Sequence, residues 1–393
     1  MDFQSIYDNY LEFIEPDIKD RLVKHRGVER LLKKLPSEFN VETKGQSEEE
    51  RSINLVTWGR GETKIFLWSQ MHGNEATGTM ALFDLMNFLQ DEAYRATTNV
   101  LAENCTLYLL PMVNPDGAER FIRRNSRQID INRDFTDTLT AEAKLLRSLR
   151  EEIDPDFGFN LHDQDTLWSV QGSRKSATLS YLAPSFNSSL SFNETRTKAM
   201  QVIADIYETL KNFLPGRIGL FPDDFEPRAF GDNFQLAGTS TILLEAGGYK
   251  DDYEKQEVRK YFFLSILKGL SSIVLGSFKE KTIEAYHEIP KNDKQLFHVL
   301  IDKVAVNGLI TSVGLNYEES YNPDNQKLVR KYYVIDIGDL RYSNSYQCYK
   351  GEDLKINKYL TINSLANFEL LQNDKKILSF SNGILTQYLN LNP

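Results

Sequence analysis

His72, Gly73, Asn74 and Glu75 follow directly after the apolar run KIFLWSQ at residues 64–70. An imidazole and a carboxylate three positions apart, at the end of a buried strand, can serve as two ligands of one metal ion. The same pair can also form a turn whose glutamate caps the following helix. Zinc accepts imidazole nitrogen and carboxylate oxygen, and a catalytic zinc site combines three protein ligands with a fourth position for water. The chain has five histidines: His25, His72, His162, His287 and His298. His162 ends the run DFGFNLH and could bring a third donor from a parallel strand. His25 sits among arginines and lysines, and His287 and His298 fall near the other end of the chain, so these three read as ordinary surface or core residues.

A second stretch, NPDGAERFIRRNSRQIDINRDF at 114–135, opens with a turn signal and then carries Arg120, Arg123, Arg124, Arg127 and Arg133. Taken alone it is a basic surface run. Between two predicted strands it suits another task, because the planar guanidinium pairs two-to-two with a carboxylate and can stabilise an oxyanion. Glu245 ends the apolar run TSTILLE, where a carboxylate is either a paired structural group or a base.

The elements that must position these residues alternate. Strand-like runs KIFLWSQ (64–70), CTLYLLPM (105–112), DFGFNLH (156–162) and TSTILLE (239–245) are separated by helical patterns at 78–92, 140–152 and 194–214, with another from Tyr253 to Val274. Continuous apolar strands alternating with amphipathic helices predict an α/β domain with a mixed, largely parallel central sheet flanked by helices. His72, Glu75, His162 and Glu245 then all lie at the carboxyl ends of strands, the edge where ligands bind in such sheets. Residues 1–50 read as a polar helical segment packed on the α/β domain, which spans 51–278. From 279 to 393 the pattern changes to LFHVLIDKV, GLITSVGL, KYYVIDIG, KYLTI and KILSF with Asn, Asp and Gly between them, a small all-β domain.

Composition narrows the function. The 46 basic and 56 acidic residues give a net charge of −10, which leaves no basic surplus for nucleic acid. Cys105 and Cys348 are far apart in the sequence and signal neither a disulfide framework nor a thiolate metal site. No apolar run is long enough for a transmembrane helix and no secretory signal is visible, so a cytoplasmic location without a membrane partner is expected. Oligomeric state stays open.

With these residues in view, the chain resembles the zinc carboxypeptidase family, metallopeptidases that remove C-terminal residues. Four features carry the resemblance in order over residues 50 to 275: HGNE at 72–75, NPDG with RRNSRQIDINRDF at 114–135, NLH at 160–162, and ILLEAGG at 242–248. The resemblance implies one Zn2+ per chain held by His72, Glu75 and His162. It implies that Asn132 and Arg133 hold the substrate's terminal carboxylate, that Arg123 polarises the scissile carbonyl, and that Glu245 is the general base. The expected partner is a peptide or small amide with a free carboxylate.

One departure stands out. Family members often carry a tyrosine some twenty residues before the catalytic glutamate, yet no tyrosine lies between Tyr207 and Tyr249. Phe221, Phe225 and Phe230 stand in that stretch instead. Side-chain preference is expected near Phe230: an inward Arg228 would select carboxylate-bearing ends, and Asp232 basic ones. The AGG after Glu245 looks more like the bacterial and cytosolic branches. A metallocarboxypeptidase is therefore the expected activity, with a zinc amidohydrolase or deacylase acting on N-acyl amino acids or cell-wall-type peptides as the alternative.

Overall fold

The computed structural model describes residues 1–294 and 296–388. It divides into two compact units. The larger contains 1–166, 170–173 and 177–292, and the smaller contains 167–169, 174–176 and 293–393.

The larger unit is built on an eight-stranded sheet. In chain order its strands are β1 (Asn40–Gln46), β2 (Ser52–Gly59), β3 (Thr63–Ser69), β4 (Cys105–Leu110), β5 (Phe157–Asp163), β6 (Leu179–Leu182), β7 (Ile218–Leu220) and β8 (Ser240–Ala246). Their order across the sheet is β1-β2-β4-β3-β5-β8-β6-β7. The centre is parallel, with β3 against β4 and β5, and β5 against β8, as is the edge pair β6–β7. The pairs β1–β2, β2–β4 and β6–β8 are antiparallel. Central strands such as β8 are buried along their whole length, the expected state of a sheet covered by helices on both faces. Two of the covering helices, Thr77–Leu89 and Gln256–Leu275, contribute Met80, Phe83, Leu85, Phe262, Leu264 and Leu267 to the main core.

Two differences from the sequence reading concern boundaries. The polar first 50 residues are not all helical, because Asn40–Gln46 forms an exposed edge strand paired with β2. An edge strand with one solvated face lacks the apolar run that betrays a buried one. The larger unit also extends past 278. A short helix, Ile283–His287, follows, and Phe278, Tyr286 and Ile289 are all buried in the main core. Their burial, invisible in a stretch of mixed polarity, moves the boundary to 292.

The N-terminal segment is fixed by a buried ion pair. Arg259 and Asp84, both fully buried, pair directly, and Asp84 also accepts from the Tyr10 hydroxyl (2.6 Å) and the Glu15 amide (2.8 Å). Arg259 Nη1 donates to the Ile18 carbonyl at 2.8 Å. Such a pair costs little to keep only when every charge is hydrogen-bonded, as here.

The smaller unit is all-β, with its own core that includes Val299, Ile301, Val313, Leu315, Val334, Leu370 and Phe380. The runs LFHVLIDKV, KYYVIDIG and KILSF lie in strands, as does GLITSVGL from Leu309 onward. KYLTI does not. Leu360 is buried, but its backbone amide and carbonyl are both taken by the Asn307 side chain (2.8 and 2.9 Å) rather than by a neighbouring strand. The ladder in that region is Leu354–Ile356 instead. Among the described residues, no helix is long and apolar enough to cross a membrane.

Candidate metal centre and active site

The parallel register brings the strand ends together. Ser69 of β3 is level with Leu161 of β5, and His162 is directly opposite Glu245 of β8. The turn after β3 then delivers His72 and Glu75. That turn is tight. A Cβ on Gly73 would lie 2.0 Å from the Gly117 carbonyl carbon, so the HGNE and NPDG motifs meet backbone to backbone. Asn114 holds the second motif in place. Its Oδ1 accepts from the Gly117 amide at 2.8 Å, and its Nδ2 donates to the Met71 carbonyl at 3.1 Å. Gly247, just past Glu245, has the same necessity, since a Cβ there would lie 1.9 Å from the Ala177 carbonyl oxygen.

His72, Glu75 and His162 are buried and each offers a ligand atom, all within 4.8 Å of one another. Glu75 Oε1 is 2.9 Å from His72 Nδ1, and Oε2 is 2.8 Å from His162 Nδ1. The far nitrogen of His72, Nε2, is 3.1 Å from Asp130 Oδ1, which fixes the ring so that Nδ1 faces the cluster. Two imidazole nitrogens and a carboxylate on one small patch form a donor set that fits zinc. A carboxylate behind a ligating imidazole is the usual way to set its tautomer and basicity. Glu245 Oε2 is buried with no protein hydrogen-bond partner among the described residues, as expected of a polar group arranged to meet a ligand; His162 Nε2, across the ring from the Nδ1 that meets Glu75, has none either.

The electrostatics are those of a crowded carboxylate site. Burial pushes the Glu245 carboxyl well up, helped by Glu75 and Asp163. Burial would also raise Glu75, but the two imidazoles outweigh it and hold that carboxyl well down. Burial lowers His162 against the pull of Glu75. For His72, burial is overcome by Glu75 and Asp130, and the ring is raised. Lys255 sits behind the site with Nζ 2.9 Å from both Asp163 Oδ2 and the Ala246 carbonyl. It is buried at the left-handed backbone position φ +53°, so a non-glycine residue there is held by its surroundings.

Arg123 lies against the cluster. Its Nη1 is 3.2 Å from both His72 Nδ1 and Glu75 Oε1, and its Nε donates to Asp130 Oδ2 at 3.0 Å. Asn132 Oδ1 accepts from the Phe230 amide at 3.0 Å, and its Nδ2 makes no hydrogen bond among the described residues. Arg133 Nη1 donates to the Asn132 carbonyl at 2.8 Å, and its Nε lies 3.1 Å from Glu226 Oε2.

Three residues are expected at the specificity pocket. Phe230 is fully buried, edge-on to Phe135 and Phe234 in a second core. As the first residue of the helix Phe230–Leu236 it packs inward. Arg228 is exposed rather than inward, because Glu226 takes both Nε (2.9 Å) and Nη2 (2.7 Å). Asp232 is buried and forms no ion pair among the described residues; it accepts from the Glu226 amide at 3.0 Å, and burial pushes its carboxyl up to about 7.

The Asp232 shift makes a stability prediction. Its folded pKa lies above the unfolded value, so its stabilising contribution is complete below the unfolded pKa and is lost as pH rises through about 7. Asp232→Asn keeps the acceptor without the charge. Its stability relative to wild type is expected to improve between pH 5 and pH 8 by on the order of 2–3 kcal/mol. Denaturant melts at the two pH values check this, and an unchanged difference contradicts it.

Two contributors went unread in the sequence. Asp130 lies within the quoted DINRDF, but its contacts to His72, Arg123 and the Asn132 amide (3.0 Å) exist only in three dimensions. Its one sequence signal is an Asp directly before the short turn Ile131–Arg133, an ordinary turn residue. Asp130→Ala is expected to weaken zinc binding by about 10–100-fold. Competition against a chromophoric chelator reads this directly, and an unchanged affinity contradicts it. Lys255 gave no signal in the sequence.

Residues 26–206 match the family described as zinc carboxypeptidase. Carboxypeptidase SOL1 of Arabidopsis thaliana is 35% identical over 68 residues, 17% of this chain and 14% of that protein. The matched stretch is thus a small part of that relative's length. A metallo-carboxypeptidase from Burkholderia cenocepacia superposes with TM-score 0.53 at 17% identity, covering 64% of this chain and 69% of that one. A metallo-carboxypeptidase from Pseudomonas aeruginosa gives 0.52 at 16% identity, with the same coverage. At such identities the structures establish a shared fold, and nearly all of the residues in the family match belong to the larger unit. Over residues 26–206 the chain is therefore similar to the zinc carboxypeptidases, and it shares their fold.

Proposed function

We propose that this protein is a zinc-dependent metallocarboxypeptidase that hydrolyses the C-terminal amide bond of a peptide or peptide-like substrate. The observation that carries the reading is the meeting of His72, Glu75 and His162 donors within 4.8 Å, with Glu245 level with His162 on the adjoining strand. Zinc held there supplies a Lewis acid that polarises a carbonyl and acidifies water. Glu245 accepts a proton from the attacking water as its oxygen bonds to the carbonyl carbon, and returns the proton to the amine as the C–N bond breaks. Arg123 places positive charge where the oxyanion develops. Arg133 and the Asn132 side-chain amide hold the terminal carboxylate, so only the last bond is presented. The Pseudomonas aeruginosa relative was solved with (2-guanidinoethylmercapto)succinic acid, a dicarboxylate, which supports a carboxylate-binding site in this fold.

The test is turnover of N-acetylated dipeptides with free C-termini, the same dipeptides amidated, and N-acyl amino acids, before and after chelation and zinc return. Zinc-dependent release of the C-terminal residue from the free-carboxylate peptides is expected, with only slow reaction of the amidated ones and none of the N-acyl amino acids. Activity confined to N-acyl amino acids overturns the reading in favour of a deacylase.

A further inference from the structure

We propose that Glu226 is a positioning residue for Arg133, fixing the guanidinium that receives the substrate's terminal carboxylate; this rests on the carboxypeptidase reading above. Glu226 lies in the irregular segment between β7 and the helix Phe230–Leu236. Its backbone is tied at both ends, with its amide donating to Asp232 Oδ1 (3.0 Å) and its carbonyl accepting from the Ala229 amide (2.9 Å). Its carboxylate is tied as well. Oε1 accepts from the Arg228 amide (3.1 Å) and Arg228 Nε (2.9 Å), and Oε2 from Arg228 Nη2 (2.7 Å). The two arginines hold this carboxyl down at about 2, with the Arg228 hydrogen bond the larger influence, so it stays charged at any working pH.

Arg133 meets that fixed anion with Nε at 3.1 Å, while Nη1 donates to the Asn132 carbonyl. Among the described residues Nη2 makes no hydrogen bond, and the side chain is 38% exposed. The guanidinium is therefore held from one side and open on the other. A free arginine side chain has many rotamers, and fixing it beforehand removes that cost from binding. The charge count is consistent with this role. Arg133, Glu226 and Arg228 together carry one net positive charge, so an incoming carboxylate still meets an attractive field. Arg228, expected at the specificity pocket, instead stands behind Glu226 and keeps it in place.

The test compares wild type, Glu226→Ala and Glu226→Gln on zinc-loaded protein, using N-acetylated dipeptides with free and amidated C-termini. Glu226→Ala is expected to raise KM for the free acids about tenfold with kcat within about threefold, the signature of lost uniform binding. Glu226→Gln, which keeps an acceptor, should restore part of the KM. The slow reaction of the amides should be unchanged, and melting temperatures show whether each variant is folded. A KM for the free acids that stays the same or falls overturns the proposal, because Glu226 would then be idle or would compete with substrate. An equal change for acids and amides also overturns it. Wild-type protein that turns over none of the peptides fails the carboxypeptidase reading itself, a different outcome from a working enzyme indifferent to Glu226.

Discussion

Glu245→Gln is expected to lower kcat by about 10²–10⁴-fold, the range that a positioned general base supplies. Glutamine keeps the shape and one acceptor oxygen but cannot take a proton. Glu245 is buried at the end of β8, opposite His162, and its Oε2 has no protein partner among the described residues. A purely structural carboxylate would look different. It would be paired, and its neutralisation would cost stability by leaving the partner unsatisfied. Here burial, Glu75 and Asp163 all oppose its charge, so the glutamine variant should melt at or above the wild-type temperature. The expected combination is full zinc loading, intact stability and collapsed turnover. A variant that keeps more than about a tenth of wild-type kcat would show that Glu245 is not the base.

The second large effect is on the metal. His162→Ala removes one of the three convergent donors, and His72→Ala removes another. Loss of a ligand should weaken zinc far beyond the roughly 10–100-fold expected from a supporting carboxylate such as Asp130. Both histidines are buried against Glu75, so each variant also leaves that carboxylate with one neutralising neighbour fewer. Each is therefore expected to lose some stability as well as metal, which zinc binding measured at a temperature well below each variant's melt separates.

Much of the site could be read from the chain because its residues sit at strand ends, and strand ends are legible. HGNE follows β3, NLH lies at the end of β5, and ILLEAGG spans the end of β8. A parallel sheet turns that shared sequence position into spatial proximity without further information. The polar N-terminal stretch hid its edge strand because an exposed strand needs no apolar pattern. The region from 226 to 232 was harder for a different reason. Arg228, Phe230 and Asp232 alternate charged and apolar types, so the chain alone does not say which face is inward. The answer depends on Asn132, nearly a hundred residues earlier in the chain, which receives the Phe230 amide and sets the start of the helix. Phe230 then falls into the core, and Glu226, unremarked in the sequence, becomes the residue between the two arginines. Asp130 and Lys255 escaped notice for the same reason: each acts on residues distant in sequence through contacts that local pattern does not encode.

The most direct test is the metal content of the purified chain after chelation and titration with zinc, for wild type, His72→Ala and His162→Ala side by side. One tightly bound zinc per wild-type chain, lost in both variants while each stays folded, is the expected result. No tight zinc in folded wild-type protein, or one equivalent retained by both variants, would contradict a centre built from His72, Glu75 and His162.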